Sequence, residues 1–86
     1  MYRLKIRKSA LKSFRRMPKH DAVRMRGELT KLAEDPHRKD IDIVRLRNRE
    51  GFRMRTGEWR VIFDRRDEVQ EIEILRVGLR RDIYRQ

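Results

Sequence analysis

The sequence predicts an α+β fold in which two N-terminal helices pack on a twisted antiparallel sheet, in the order β-α-α-β-β-β. Three observations carry that expectation. Apolar residues recur at helical spacing in the first half of the chain, they alternate with polar ones in the second half, and turn residues separate the alternating runs. The 86 residues, with no low-complexity stretch and no internal repeat, make one domain, 1–86. A chain of this length buries only about 60% of its unfolded surface, which leaves no room for a second core.

Each element follows in order. Tyr2, Leu4 and Ile6 alternate with Arg3 and Lys5, the period of a strand with one buried face. From Ser9 to Met17, Ala10, Phe14 and Met17 fall at helical spacing beside Leu11, and Pro18 ends the helix. Ala22, Met25, Leu29, Leu32 and Ala33 mark one stripe of a longer helix that stops before Pro36. Gly27 inside it costs about 1 kcal/mol relative to alanine, and close helix packing is one explanation for its presence. Phe52–Arg55, Trp59–Asp64 and Val69–Val77 then read as strands joined by turns at Thr56-Gly57 and Arg65-Arg66-Asp67-Glu68. Trp59, Val61 and Phe63 share the face that meets the helices, whereas Arg60 and Ile62 share the other. Gly78 is read as the end of the last strand, and Leu79–Gln86 as a short tail.

Charge dominates the composition. Twenty-five Lys and Arg against 14 Asp and Glu leave a net charge of +11, and 45% of residues are charged. Met1–Asp35 holds 11 basic and 4 acidic side chains, Pro36–Arg66 holds 10 and 5, and Asp67–Gln86 holds 4 and 5. The excess therefore belongs to the first two thirds and points to a polyanionic partner. Nineteen of the cations are arginine, whose planar fork matches phosphate and whose face stacks on bases. Codon bias in a GC-rich genome also raises arginine content, so positions and not totals carry the argument. With no cysteine there is neither a disulfide framework nor thiolate chemistry, and no zinc site or cofactor is expected. No segment approaches the roughly 20 apolar residues needed to cross a bilayer, so the expectation is a cytoplasmic protein that engages no membrane.

Two blocks carry a family resemblance: Arg53-Met54-Arg55-Thr56-Gly57-Glu58-Trp59-Arg60-Val61-Ile62-Phe63, and Leu75-Arg76-Val77-Gly78-Leu79-Arg80-Arg81-Asp82-Ile83-Tyr84. A basic strand, a glycine turn, an aromatic-Arg-hydrophobic strand and an RVG-x-R segment ending in tyrosine resemble the RelE and ParE superfamily of toxins. The order of elements agrees from end to end. The resemblance to RelE implies a type II toxin that enters the ribosomal A site and cuts messenger RNA. It also implies a cognate acidic antitoxin that wraps the toxin in a hetero-oligomer. Carried over by position, the catalytic set falls on Arg53, Arg55, Arg60, Arg80 and Tyr84, with Arg45, Arg47, Arg76 and Arg81 as further RNA contacts.

Those residue types suit the chemistry. Attack of a 2′-hydroxyl on phosphorus needs alignment, charge stabilisation on the phosphate and a proton for the leaving oxygen. Arg53 and Arg55, two apart on a strand, point to one side, and Arg60 follows across a short turn. Tyr84 suits base stacking or proton donation. Trp59 is assigned to the core, and His20 and His37 to solvent. The chain departs from RelE, which is lysine-rich where Arg53 and Arg55 stand, and from relatives with histidine in place of Leu79. Arginine stays protonated at neutral pH and is a poor general base, while the nearest carboxylates in sequence, Glu50 and Glu58, match no family site. Two other functions stay open: the ParE branch poisons DNA gyrase, and a non-catalytic module would block translation by occupying RNA or the ribosome.

Overall fold

The computed structural model describes residues 1–83. In chain order they form β1 (Arg3–Ile6), α1 (Lys8–Arg16), α2 (Lys19–Glu34), β2 (Asp42–Arg45), β3 (Phe52–Thr56), β4 (Trp59–Arg66) and β5 (Glu71–Leu79), with a short 3-10 turn at Asp67–Val69. The two helices cover one face of a five-stranded sheet ordered β1-β5-β4-β3-β2, in agreement with the expected α+β class. None of the described helices is long and apolar enough to cross a membrane.

The helical half follows its local signals. Met17 adopts an extended conformation (φ −68°, ψ 143°), the state that a following proline imposes, and this breaks α1 from α2. Both helices turn their apolar stripes to the sheet. Ala10 of α1 and Met25, Leu29 and Leu32 of α2 join Met54, Val61, Phe63, Ile72, Ile74 and Val77 in one buried cluster. Each such fully buried aliphatic or aromatic side chain contributes about 1.5–3 kcal/mol of transfer free energy. Phe63 also stacks on Phe52, with ring centroids 5.4 Å apart and planes 18° from parallel. Gly27 points away from this packing, because a Cβ built on it meets nothing within 4 Å. Close helix packing is therefore not its explanation.

The sheet holds three features that the alternation alone did not specify. β2 is an additional edge strand, antiparallel to β3, with Asp42 opposite Arg55 and Val44 opposite Arg53. Its two adjacent apolar residues, Ile43 and Val44, show no alternation because only Ile43 turns to the core. β1 pairs with β5 in parallel, Leu4 against Ile72 and Ile6 against Ile74, so one pair departs from the antiparallel pattern. Between Ile62 and Phe63 the β4–β5 register slips: Ile62 faces Arg76 while Phe63 faces Ile74. Leu75 is the extra residue of this bulge, which changes the phase of β5.

The bulge explains how Ile72, Ile74 and Val77 all reach the helix side while Leu75 reaches the opposite side. There Leu75 meets Ile62, Ile83 and Leu46 in a second, smaller cluster. β4 runs two residues past the expected Asp64, and β5 continues through Gly78, which pairs with Arg60, to Leu79. Glycine does not end the strand here. Its missing side chain instead admits the tail: a Cβ at Gly78 would lie 3.2 Å from Ile83 Cδ1. Residues 80–83 thus fold back over the sheet face that the helices leave open.

Candidate functional site

The open face of the sheet is built from one residue in two along each strand. Register places Asp42, Arg55, Arg60 and Gly78 in a row across β2, β3, β4 and β5, with Val44, Arg53, Ile62 and Arg76 in the next row. Arg55 and Arg60 are direct cross-strand neighbours, a like-charge pairing that opposes folding. The hairpin that brings them together turns on Gly57, whose φ of +60° is open to glycine without strain. Thr56 and Trp59 close the two-residue loop.

Arg60 is the centre of this arrangement. It retains 6% of its surface exposure, although arginine is almost never fully buried unless paired. Its Nη1 donates to the carbonyl oxygens of Gly57 and Trp59, each at 3.0 Å, which anchors the guanidinium at the turn. Burial, and then the nearby cations Arg55, Arg53 and Arg80, pull its pKa below the ordinary arginine value, with Glu58 acting in the opposite sense. Three further guanidinium groups thus sit within electrostatic reach, Arg55 directly opposite on β3. Arg80 arrives from the tail, where its backbone N–H donates to the Glu58 carbonyl at 2.8 Å. Ile83 N–H bonds back to Leu79 O at 3.0 Å, closing the turn whose side chain plugs the small cluster.

The four sequence-predicted catalytic arginines, Arg53, Arg55, Arg60 and Arg80, are therefore brought together; Tyr84 lies outside the described residues. Arg76 shares the open face through its pairing with Ile62 and also lines a cleft of about 360 Å³ with Ser9, Ser13 and Arg16. Arg81 is exposed beside Arg80 and Glu58. Arg45 goes elsewhere. It pairs with Phe52 on the helix-facing side, its guanidinium 5.3 Å from that ring, with Arg65 at 4.7 Å. Arg47 lines a separate 740 Å³ cleft with Arg45, Arg49, Arg65 and Arg66. Trp59 is half-buried against the core and donates its indole N–H to Asp21 at 3.1 Å. His20 and His37 are exposed.

One residue of the face escaped sequence reasoning. Asp42 sits at the end of the arginine row and accepts a hydrogen bond from Arg55 Nε at 2.6 Å. Thirteen residues separate the pair, and only the β2–β3 register could have connected them.

A buried arginine with three other arginines near it on one sheet face defines a class of small basic α+β domain with a built cation cluster. Comparison with known proteins then identifies the family. Residues 4–84 match the ParE toxin of type II toxin-antitoxin systems, parDE. Structurally, the chain is similar to RelE in the archaeal RelE-RelB complex from Pyrococcus horikoshii OT3, with a TM-score of 0.80 and 29% identity over 92% of this chain and 94% of that one. It shares its fold with the RelBE2 toxin-antitoxin complex of Mycobacterium tuberculosis, at 0.78 and 24%, covering 92% and 98%. The same holds for the intact E. coli RelBE complex, at 0.64 and 20%, covering 92% and 96%. No curated protein matches the chain. The chain belongs to the ParE toxin family within the RelE/ParE superfamily, and is a toxin of a type II toxin-antitoxin system.

Proposed function

We propose that this toxin is a ribosome-dependent endoribonuclease that cuts messenger RNA in the A site by attack of the 2′-hydroxyl on the adjacent phosphorus. The observation that carries the reading is the convergence of Arg53, Arg55 and Arg80 on a buried Arg60 at one open sheet face. Cations fixed before the substrate arrives stabilise the charge that grows on the phosphate, and in a partly dry site this is commonly the largest catalytic contribution. Arg60 supplies the fixed charge, Arg53 and Arg55 bracket the phosphate from the neighbouring strand, and Arg80 closes over it from the tail. Tyr84 stacks on the base or protonates the leaving oxygen. Arg76 and Arg81 extend the backbone contacts and Arg47 adds a further contact from the loop after β2, whereas Arg45, turned to the helix-facing side, takes no part. The ribosome contributes substrate alignment.

The partner that restrains it is an acidic antitoxin. Related RelE chains are solved in complex with RelB, and a net charge of +11 favours an acidic segment wrapped on the toxin. Substituting Arg60 by alanine tests the catalytic reading. With antitoxin removed and messenger-programmed ribosomes as substrate, cleavage falls by about 10²–10³-fold while ribosome binding weakens far less. Equal loss of both would instead favour a block by occupancy. The family match is to ParE, which keeps gyrase poisoning as the second reading; trapping of gyrase on cut DNA without RNA cleavage would establish it.

A further inference from the structure

A cluster of arginines leaves the proposed reaction without a base, since guanidinium groups stay protonated at neutral pH. On the RNA-cutting reading, we infer that the Asp42 carboxylate takes the proton from the attacking 2′-hydroxyl. Asp42 stands on the open face at the edge of the sheet, in the same cross-strand row as Arg55, Arg60 and Gly78. Its Oδ2 accepts from Arg55 Nε at 2.6 Å. This bond fixes the carboxylate beside a cation that itself faces the phosphate position. Among the described residues Arg55 is the only side chain bonded to it, so the second carboxylate oxygen is available to a substrate hydroxyl. Asp42 is half-exposed, and β2 has solvent on its outer side, so a ribose can reach it.

The charges facing Asp42 are Arg55 directly opposite and Arg53 diagonally on β3, with Arg60 behind them on β4. Glu58, the other carboxylate near the cluster, lies at the hairpin turn beside Arg80. Asp42 on β2 and Gly78 on β5, two residues before Arg80, thus lie on opposite sides of Arg60 in the row, about three strand spacings of roughly 4.8 Å apart. An in-line displacement needs that order, with the base by the nucleophile at one end and the leaving group at the other. The 2′-oxygen forms its bond to phosphorus as its proton passes to Asp42. The bond from phosphorus to the 5′-oxygen breaks, and that oxygen takes a proton from solvent. Asp42 then returns its proton to solvent, leaving a 2′,3′-cyclic phosphate and a 5′-hydroxyl with no oxidant or reductant consumed.

Single-turnover cleavage of messenger on programmed ribosomes tests the assignment with the parent toxin and the D42N, D42E and E58Q variants. Asparagine keeps an oxygen that accepts from Arg55 Nε, so D42N preserves the position of Arg55 while removing the base. Its rate should fall by about 10²–10⁴-fold, with ribosome affinity within about threefold of the parent. D42E, which restores a carboxylate, should keep a rate within about tenfold of the parent. The assignment is overturned if D42N cuts within about threefold of the parent or loses binding as steeply as rate. It is also overturned if E58Q takes the loss instead. A parent that leaves the messenger intact overturns the RNA-cutting reading and the role of Asp42 together; a parent that cuts beside an unaffected D42N overturns Asp42 alone.

Discussion

Tyr2 and Asp67 show how single residues tie the two ends of the fold. The Tyr2 hydroxyl donates to Asp67 Oδ1 at 2.8 Å across 65 residues of sequence. That hydrogen bond is the main reason the tyrosine pKa is raised above its ordinary value and the aspartate pKa is lowered below its own. The signs differ at the two ends of the pH scale. A raised tyrosine contributes stability that is fully present below about pH 10, its unfolded value, and lost as pH rises through the folded value. A depressed carboxylate contributes stability present above about pH 4 and lost as pH falls through its lower folded value. Tyr2→Phe should therefore flatten the dependence of Tm on pH at both extremes. Superimposable curves for the two proteins, shifted by a constant, would show that the bond has no titrating role.

Arg60 poses the opposite problem at the same scale. Its neighbours repel it, yet it is buried and held by two carbonyl oxygens. Alternation predicted Arg53, Arg55 and Arg60 on one side of the hairpin, because strand side chains repeat every two residues. It could not predict that Arg60 alone would be buried. That depends on the return of the tail over Gly78 and on the direct opposition of Arg55, both matters of pairing between distant segments.

At the level of elements, the two glycines behave oppositely. Gly27 lies on the exposed side of α2, where a Cβ meets open space. Gly27→Ala should stabilise the fold by about 0.5–1 kcal/mol through helix propensity and raise Tm by roughly 2–8 °C. No change in Tm would mean that α2 has a constraint beyond its own backbone. Gly78 lies under Ile83, and its substitution by valine would place a Cβ 3.2 Å from Ile83 Cδ1 with two methyl groups beyond it. Overpacking of this kind costs about 1–3 kcal/mol and should displace the turn that carries Arg80. Thermal melts measure the first effect, and hydrogen exchange at the backbone N–H of Arg80 and Ile83 measures the second. A β5 that reached Val77 and stopped, as its sequence suggested, would offer no such seat.

For the whole molecule, self-repulsion and site binding can be separated. A net charge of +11 in so small a domain opposes compaction and is relieved by any salt. A built phosphate site adds a specific increment, RT ln(1 + [L]/Kd), which reaches about 2.7 kcal/mol at one hundred times Kd. Inorganic phosphate should thus raise Tm above that in chloride at equal ionic strength, and Arg60→Ala should lose the difference. If both proteins respond alike, phosphate is acting as general screening and the arginine face does not bind it.

The sequence by itself determined the α+β class, the two helices, the hairpin and the sidedness of Arg53, Arg55 and Arg60. Each of these rests on periodicity within a dozen residues, where backbone geometry dictates which side chains share a face. Only the tertiary structure decided the parallel seat of β1 on β5, the edge strand β2 with Asp42, the bulge at Leu75 and the opposite placement of Arg45. These are choices of register and closure. They are settled by what the whole core can pack, and a slip of one residue on either strand would turn Asp42 or Arg60 to the other face.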